Sequence, residues 1–182
     1  MVKIMHVQLD DSSIIGLLRP LAYCSRNIRE LNFTGSFKRA SELGYAALSQ
    51  TLLNNDALQR VFIDGFCSSL LDGMAIACGS KFGENALELL PRVSAALHFE
   101  TLPSGGMINL PVATDAKAAA AAVLISCAAS LVGMYCNISL LPTSSRGFAW
   151  LLQANAQRPN NVTLYLKSVR TSDETLQSSQ RW

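Results

Sequence analysis

Two different spacings of apolar residues follow one another in the first half of the chain. Residues 3–9 (KIMHVQL) alternate singly between apolar and polar, which predicts a first strand. After loop chemistry at residues 32–35, apolar side chains recur every three or four positions from 37 to 48, which predicts an amphipathic helix capped by Ser36. A stripe of the same spacing through residues 56–79 predicts a longer helix. This half is therefore predicted to be helical after one initial strand.

The period changes to strict alternation near the middle of the chain. Residues 97–102 alternate, residues 103–106 (PSGG) have turn chemistry, and residues 107–112 (MINLPV) resume an extended apolar run. Two such runs around a short glycine-containing turn are typical of a β-hairpin. We therefore expect an antiparallel pair here, preceded by a short helix at residues 84–90 that ends before Pro91.

The last third of the chain alternates between helical and extended patterns. Thr114 is placed to cap an alanine-rich helix, and residues 137–141 (NISLL) form a short apolar run. A helix is predicted at residues 144–157 and a strand at residues 162–170. Together with the run at 107–112, this order implies two βαβ crossovers and a stretch of parallel sheet.

Taken together, the patterns predict an α+β or α/β protein. Its helical N-terminal half is expected to pack on a mixed sheet of about five strands, with two C-terminal βαβ crossovers. No internal repeat or linker is apparent, and 182 residues suffice for one core. We therefore expect a single globular domain at residues 1–170 and a polar tail at residues 171–182.

The alanine-rich stretch at residues 116–136 (AKAAAAAVLISCAASLVGMYC) has the length of a membrane span, about 20 residues. Its composition argues against one, because Ala, Ser, Cys and Gly contribute little to insertion and flanking basic and aromatic residues are scarce. The better interpretation is a crossover helix that lies on a sheet and needs a second helix or another chain over its outer face. A membrane is therefore not expected as a partner.

Composition narrows the class of protein. Hydrophobic residues make up 49% of the chain and charged residues only 15%, against about 25% in an ordinary soluble domain, which indicates a large core or a buried interface. The five cysteines form no CxxC pair and the first residues contain no apolar leader, so we expect reduced thiols and a cytoplasmic location. Two histidines without paired cysteines predict no metal site, and no cofactor motif is present.

One candidate ligand site follows from the predicted crossovers. The carboxyl ends of neighbouring parallel strands meet at one edge of a sheet, where ligands of open α/β sheets bind. Helix amino termini with hydroxyl groups and an arginine could hold an anion there, although neither segment matches a phosphate-binding motif. The residues placed at this edge are Thr114, Asp115, Thr143, Ser144, Ser145 and Arg146.

A second candidate surface is basic. The predicted helical half carries a cluster of cations interleaved with aromatic residues, which could contact phosphates and stack on single-stranded bases. The cations are Arg26, Arg29, Lys38 and Arg39, and the aromatics are Tyr23, Phe33 and Phe37. The net charge of +2 does not by itself indicate a nucleic-acid partner.

Catalytic residues are not assigned. Cys67 would need His6 or His98 as a base, and both histidines fall on predicted strands. No GxSxG elbow is present. Gly65 and Gly73, eight residues apart, are expected to allow close helix packing.

These observations favour a non-enzymatic interaction or assembly subunit, with a protein partner or a second copy of the chain as its ligand. The alternatives are a small enzyme or anion-binding module working near Asp115 and Arg146, and a nucleic-acid-associated subunit using the basic N-terminal cluster.

Overall fold

Strands and helices alternate along the chain in a computed structural model. It describes residues 1–24, 27–65, 67–81, 95–99, 107–112, 114–127, 135–140, 145–156 and 164–167. The elements in chain order are β1 (Val2–Lys3), α1 (Asp11–Tyr23), β2 (Glu30–Asn32), α2 (Glu42–Asn54), β3 (Arg60–Ile63), α3 (Ser68–Lys81), β4 (Leu97–Phe99), β5 (Met107–Val112), α4 (Asp115–Cys127), β6 (Tyr135–Leu140), α5 (Ser145–Ala156) and β7 (Leu164–Lys167).

All strand pairs in the described residues are parallel, and each joins strands that are consecutive in the chain. One sheet has the order β1-β2-β3-β4 and the other the order β5-β6-β7. The fold is thus a mixture of helices and parallel sheet, as predicted in outline, but the predicted mixed sheet is wrong. The predicted hairpin is wrong as well, because β4 and β5 belong to different sheets, β4 beside β3 and β5 beside β6. Alternation along a strand specifies its two faces and leaves its neighbour and direction open.

The N-terminal half is a series of strand and helix units, which corrects the prediction that it is helical. The stripe at residues 56–79 divides into β3 and α3, with Val61 and Ile63 buried in alternation within the strand. In a segment of only four residues, the strand period of two and the helix period of 3.6 cannot be told apart from the apolar positions. The segment at 32–35 is also partly strand, since β2 ends at Asn32. The short helix predicted at residues 84–90 lies outside the described residues.

Ser36 does not cap a helix. Its buried hydroxyl donates to the carbonyl of Ile4 at 2.7 Å and accepts the Val7 N–H at 3.2 Å, which ties the segment after β1 to the segment after β2. The cap of α2 is Ser41, whose hydroxyl accepts the N–H of Leu43 at 3.2 Å. The helix therefore begins at residue 42, later than the apolar spacing predicts.

The helices form one row, in which α1 contacts α2, α2 contacts α3, α3 contacts α4 and α4 contacts α5. The sheet side of the core is a line of paired residues, Leu31, Val61 and Leu97, each less than 5% exposed. Connections between consecutive parallel strands are right-handed almost without exception, so they place their helices on the same face of a sheet. We therefore expect none of the described helices to lie on the other face of the first sheet.

The alanine-rich segment begins as the predicted crossover helix. Thr114 caps α4, its hydroxyl accepting the Lys117 N–H at 3.2 Å, and residues 118–122 are buried. Neighbouring helices α3 and α5 supply the cover that the composition requires. Among the described residues, no helix has the length and apolarity needed to cross a membrane.

Three glycines mark contacts between successive helices. A Cβ on Gly44 would lie 2.7 Å from Oδ1 of Asp11, and one on Gly147 would lie 2.6 Å from Oδ1 of Asp115. A Cβ on Gly73 would lie 2.6 Å from the backbone nitrogen of Ala46, so α3 touches the backbone of α2. The predicted role of Gly73 in close helix packing is confirmed.

The first of these contacts also includes a shared cap. Asp11, in the first turn of α1, accepts hydrogen bonds from the backbone N–H of Ser41 at 2.9 Å and from the Ser41 hydroxyl. Its carboxylate thereby binds the amino end of α2, where the helix dipole favours negative charge. One side chain of α1 fixes where the next helix begins.

Asp11→Ala should lower the free energy of unfolding by about 1.5–3 kcal/mol, because it removes two hydrogen bonds to a charged acceptor at a helix–helix contact. Urea denaturation followed by circular dichroism measures this change. Glu42→Ala, which removes an exposed acid from the first turn of α2, is the matched control and should cost at most about 1 kcal/mol. Equal losses in the two variants would contradict the capping role of Asp11.

Candidate functional site: the open face of the first sheet

Strand register sorts the residues of the first sheet onto two faces. Lys3 pairs with Asn32, Asn32 pairs with Phe62, and Phe62 pairs with His98. All four side chains are exposed or half-buried, whereas the adjacent row of Leu31, Val61 and Leu97 is buried. Successive residues of a strand point to opposite sides, so Glu30 and Arg60 share the exposed side with Asn32 and Phe62. We call this surface the open face; its residues are Lys3, Glu30, Asn32, Arg60, Phe62 and His98.

Two side-chain pairs organise the open face. The rings of Phe62 and His98 are stacked, with centroids 5.1 Å apart and planes 27° from parallel. One register step away, Arg60 and Glu30 form an ion pair, with side chains 53% and 23% exposed. The result is a flat aromatic platform beside a guanidinium group and a carboxylate.

The loop that follows β2 borders the open face. The side-chain oxygen of Asn32 accepts the N–H of Thr34 at 3.0 Å, which turns the chain directly after the strand. Gly35 follows in the left-handed region with φ of 75°, where a side chain would be strained, and a Cβ there would lie 2.4 Å from Nδ1 of His6. These contacts fix the course of the chain directly after β2.

Polar groups also meet at the carboxyl ends of β2 and β3. Burial, a hydrogen bond with Cys67 and the nearby charge of Asp64 raise the pKa of the Tyr45 hydroxyl far above its ordinary value, so this group stays neutral. The carboxylate of Asp64 accepts the N–H of Gly35. The cluster links α2 to the ends of β2 and β3, which is a structural task.

The two histidines that could have served Cys67 as a base have other surroundings. His6 lies beside Gly35, and His98 stacks on Phe62. Within the described residues, no group of three or more His, Cys, Asp or Glu side chains could hold a metal ion.

The predicted ligand site near Asp115 is brought together in part. Asp115 lies against Gly147 at the start of α5, in the same relation as Asp11 to Gly44 at the start of α2. Ser145 and Arg146 are the first residues of α5, while Thr143 and Ser144 lie outside the described residues. Because the carboxylate already occupies the helix start, the contact is better suited to helix packing than to an anion. Anion binding here stays an untested prediction.

Two of the three aromatic residues predicted to stack on bases are not available at the surface. Phe33 and Phe37 are 1% and 2% exposed and belong to the core, which corrects their proposed role as base platforms. Arg29 precedes β2, whereas the exposed Lys38 and Arg39 follow its carboxyl end, so the strand separates these cations. Arg26 lies outside the described residues, and Tyr23 is exposed on α1.

A short repeated pattern could have revealed the open face from the sequence. Residues 28–33 (IRELNF) and residues 58–63 (LQRVFI) share apolar side chains at their first, fourth and sixth positions. These segments are paired in register as β2 and β3. Alignment of the two segments would have placed Asn32 opposite Phe62 and shown that neither points into the core.

No known protein family matches this chain: no family model fits the sequence, and no curated protein matches it.

Proposed function

We propose that this chain is a protein-binding module, an interaction or assembly subunit that holds its partner on the open face. Support comes first from the topology. Register advances by 29 residues from Val2 to Leu31, by 30 to Val61 and by 36 to Leu97, and by 28 from Cys136 to Leu164. Consecutive units of one strand and one helix, stacked in chain order, are typical of α/β solenoids such as those of leucine-rich repeats, whose extended surfaces bind partners.

The observation that carries the proposal is the stacked pair of Phe62 and His98 beside the Arg60–Glu30 ion pair. Parallel sheets are ordinarily covered on both faces, so Phe62, which is only partly buried on a face where no described helix is expected, has apolar surface left to bury. Aromatic and arginine side chains at the centre of a surface are enriched among the residues that dominate binding energy. The platform is thus suited to the centre of an interface.

The charges on the open face favour a protein over a nucleic acid. Lys3 and Arg60 are cationic, but Glu30 lies between their strands and Arg60 is already paired with it. A phosphate backbone needs several unpaired cations on one side and would be repelled by this carboxylate. A protein surface with an apolar side chain, flanked by polar groups of both signs, complements the arrangement better.

The test compares the partners recovered by the full chain and by two variants from extracts of its own cells, with quantitative mass spectrometry. Phe62→Ala should reduce recovery of specific partners about tenfold or more, since a central aromatic residue contributes about 2 kcal/mol to binding. Leu43→Ala is the matched control, because Leu43 is a large exposed apolar residue on α2. Partners recovered equally well by wild type and Phe62→Ala would refute binding through the open face.

A further inference from the structure

One half of the aromatic platform on the open face is an imidazole. The ring of His98 is half-buried and stacks on the ring of Phe62, with centroids 5.1 Å apart. Imidazole is the side chain that gains a proton between pH 5 and pH 8. The chain has two histidines, and the other, His6, follows β1 at the opposite edge of the first sheet. A fall in pH through this range therefore places a new positive charge in the platform itself.

The charged groups nearest to His98 belong to β3, which is the neighbour of β4 in the described sheet. Arg60 is a diagonal neighbour of His98 on the same face, about 8 Å away between Cα atoms. Its guanidinium group is paired with Glu30 on β2. Asp64 directly follows β3, and its carboxylate accepts the N–H of Gly35 in the loop after β2. Both nearby carboxylates thus bind groups other than the imidazole.

We propose that His98 makes partner binding on the open face dependent on pH, so that the partner is held at neutral pH and released on acidification. This inference rests on the proposed function of the open face. A docked protein removes water from the stacked rings, and burial of a charged imidazole costs more than burial of a neutral one. In the free chain the charged ring keeps its water on the exposed side and a favourable cation–π contact with Phe62. Protonation therefore favours the free chain over the complex.

The binding test uses the most abundant partner protein whose recovery at pH 7.5 requires Phe62. The purified partner is titrated with the full chain by isothermal titration calorimetry at about pH 7.5 and pH 5.5. The dissociation constant of wild type should rise at least about fivefold at the lower pH, since imidazole is largely charged there. Titrations near pH 6 in two buffers of different ionisation enthalpy should show that protons are released on binding.

Three variants assign the pH dependence to one residue. His98→Phe keeps an aromatic ring beside Phe62 but cannot be protonated, so its dissociation constant should change less than about twofold between the two pH values. His98→Gln is a second variant that cannot be protonated in this range, and it should be equally insensitive to pH. His6→Gln is the matched control, because it removes the other histidine, and it should behave as wild type. Circular dichroism at both pH values checks that each variant is folded.

Two results would overturn the switch alone. One is a wild-type dissociation constant that is the same at both pH values, and the other is an equal rise in wild type and His98→Phe. Failure of the proposed function gives a different result, in which no partner depends on Phe62 at pH 7.5, and the switch then falls with it. In the isolated chain, proton NMR should show the resonances of His98 moving between pH 5 and pH 8; resonances that stay fixed would also reject the switch.

Discussion

Gly73→Ala is expected to lower the free energy of unfolding by about 3 kcal/mol or more, a large effect for one methyl group. The new Cβ would lie 2.5 Å from the Cβ of Tyr45, 2.6 Å from the nitrogen of Ala46 and 2.7 Å from the carbonyl oxygen of Glu42. Two of these atoms are backbone and cannot rotate away, so α2 and α3 must separate. The gain in helix propensity from glycine to alanine, about 1 kcal/mol, is too small to compensate.

Gly16→Ala is the control for this prediction, since it makes the same substitution at the same helix position with open space around it. It should stabilise the chain by about 0.5–1 kcal/mol, through helix propensity and a less flexible unfolded state. Urea titration of both variants gives the two values. If Gly73→Ala were neutral or stabilising, the close contact between α2 and α3 would be wrong.

Phe33→Ala is expected to cost about 3–5 kcal/mol of stability without a direct effect on a binding surface. Phe33 is 1% exposed, and its ring meets that of Phe37 edge to face at 5.3 Å. Phe37 in turn contacts Tyr45 at 5.1 Å between ring centroids, so the ring at position 33 supports the aromatic layer between β2 and α2. Its removal leaves a cavity that rigid neighbours cannot fill.

Phe62→Ala completes the comparison. The same substitution on the open face should cost much less than at Phe33, because the ring of Phe62 is only partly buried and stacks on the half-buried ring of His98. Thermal unfolding of both variants, measured together with partner recovery, separates the stabilising role of Phe33 from the binding role of Phe62. A loss of stability at Phe62 as large as that at Phe33 would mean that the open face is covered within the chain.

Helices were predicted best where the capping residues and the helix propensity of the segment agree with how the helix packs. Thr114 and the alanines after it predicted α4, and the spacing after residue 144 predicted α5 almost to its ends. The N-terminal half was harder, because strands β2 and β3 contain only three and four residues and fit inside a helical stripe. For such short strands the tertiary environment decides between the two periods.

Hydrophobic periodicity alone does not reveal the open face, for a related reason; only the alignment of residues 28–33 with residues 58–63 points to it. Asn32, Phe62 and His98 are separated by 30 and 36 residues, and only strand pairing makes them neighbours. His98 and Phe62 belonged to predictions of a hairpin and a helix, in which they could not meet. The candidate near Asp115 was found because its residues flank predicted helix starts, where polar residues are conspicuous even when they serve as caps.

The single-file order of the helices also determines how the molecule responds to thermal fluctuation. The main helix contacts run from α1 to α2, α3, α4 and α5 in turn. Each helix is therefore stabilised mainly by the helices next to it, and its unfolding is coupled directly only to theirs. Partial unfolding can begin at one end of the row and stop at any contact between two helices. Amide protons in α1 should therefore exchange with solvent sooner than those in α3, which has a helix on each side. A ligand seated across several strands would join these units from the opposite side and convert graded opening into a more concerted transition.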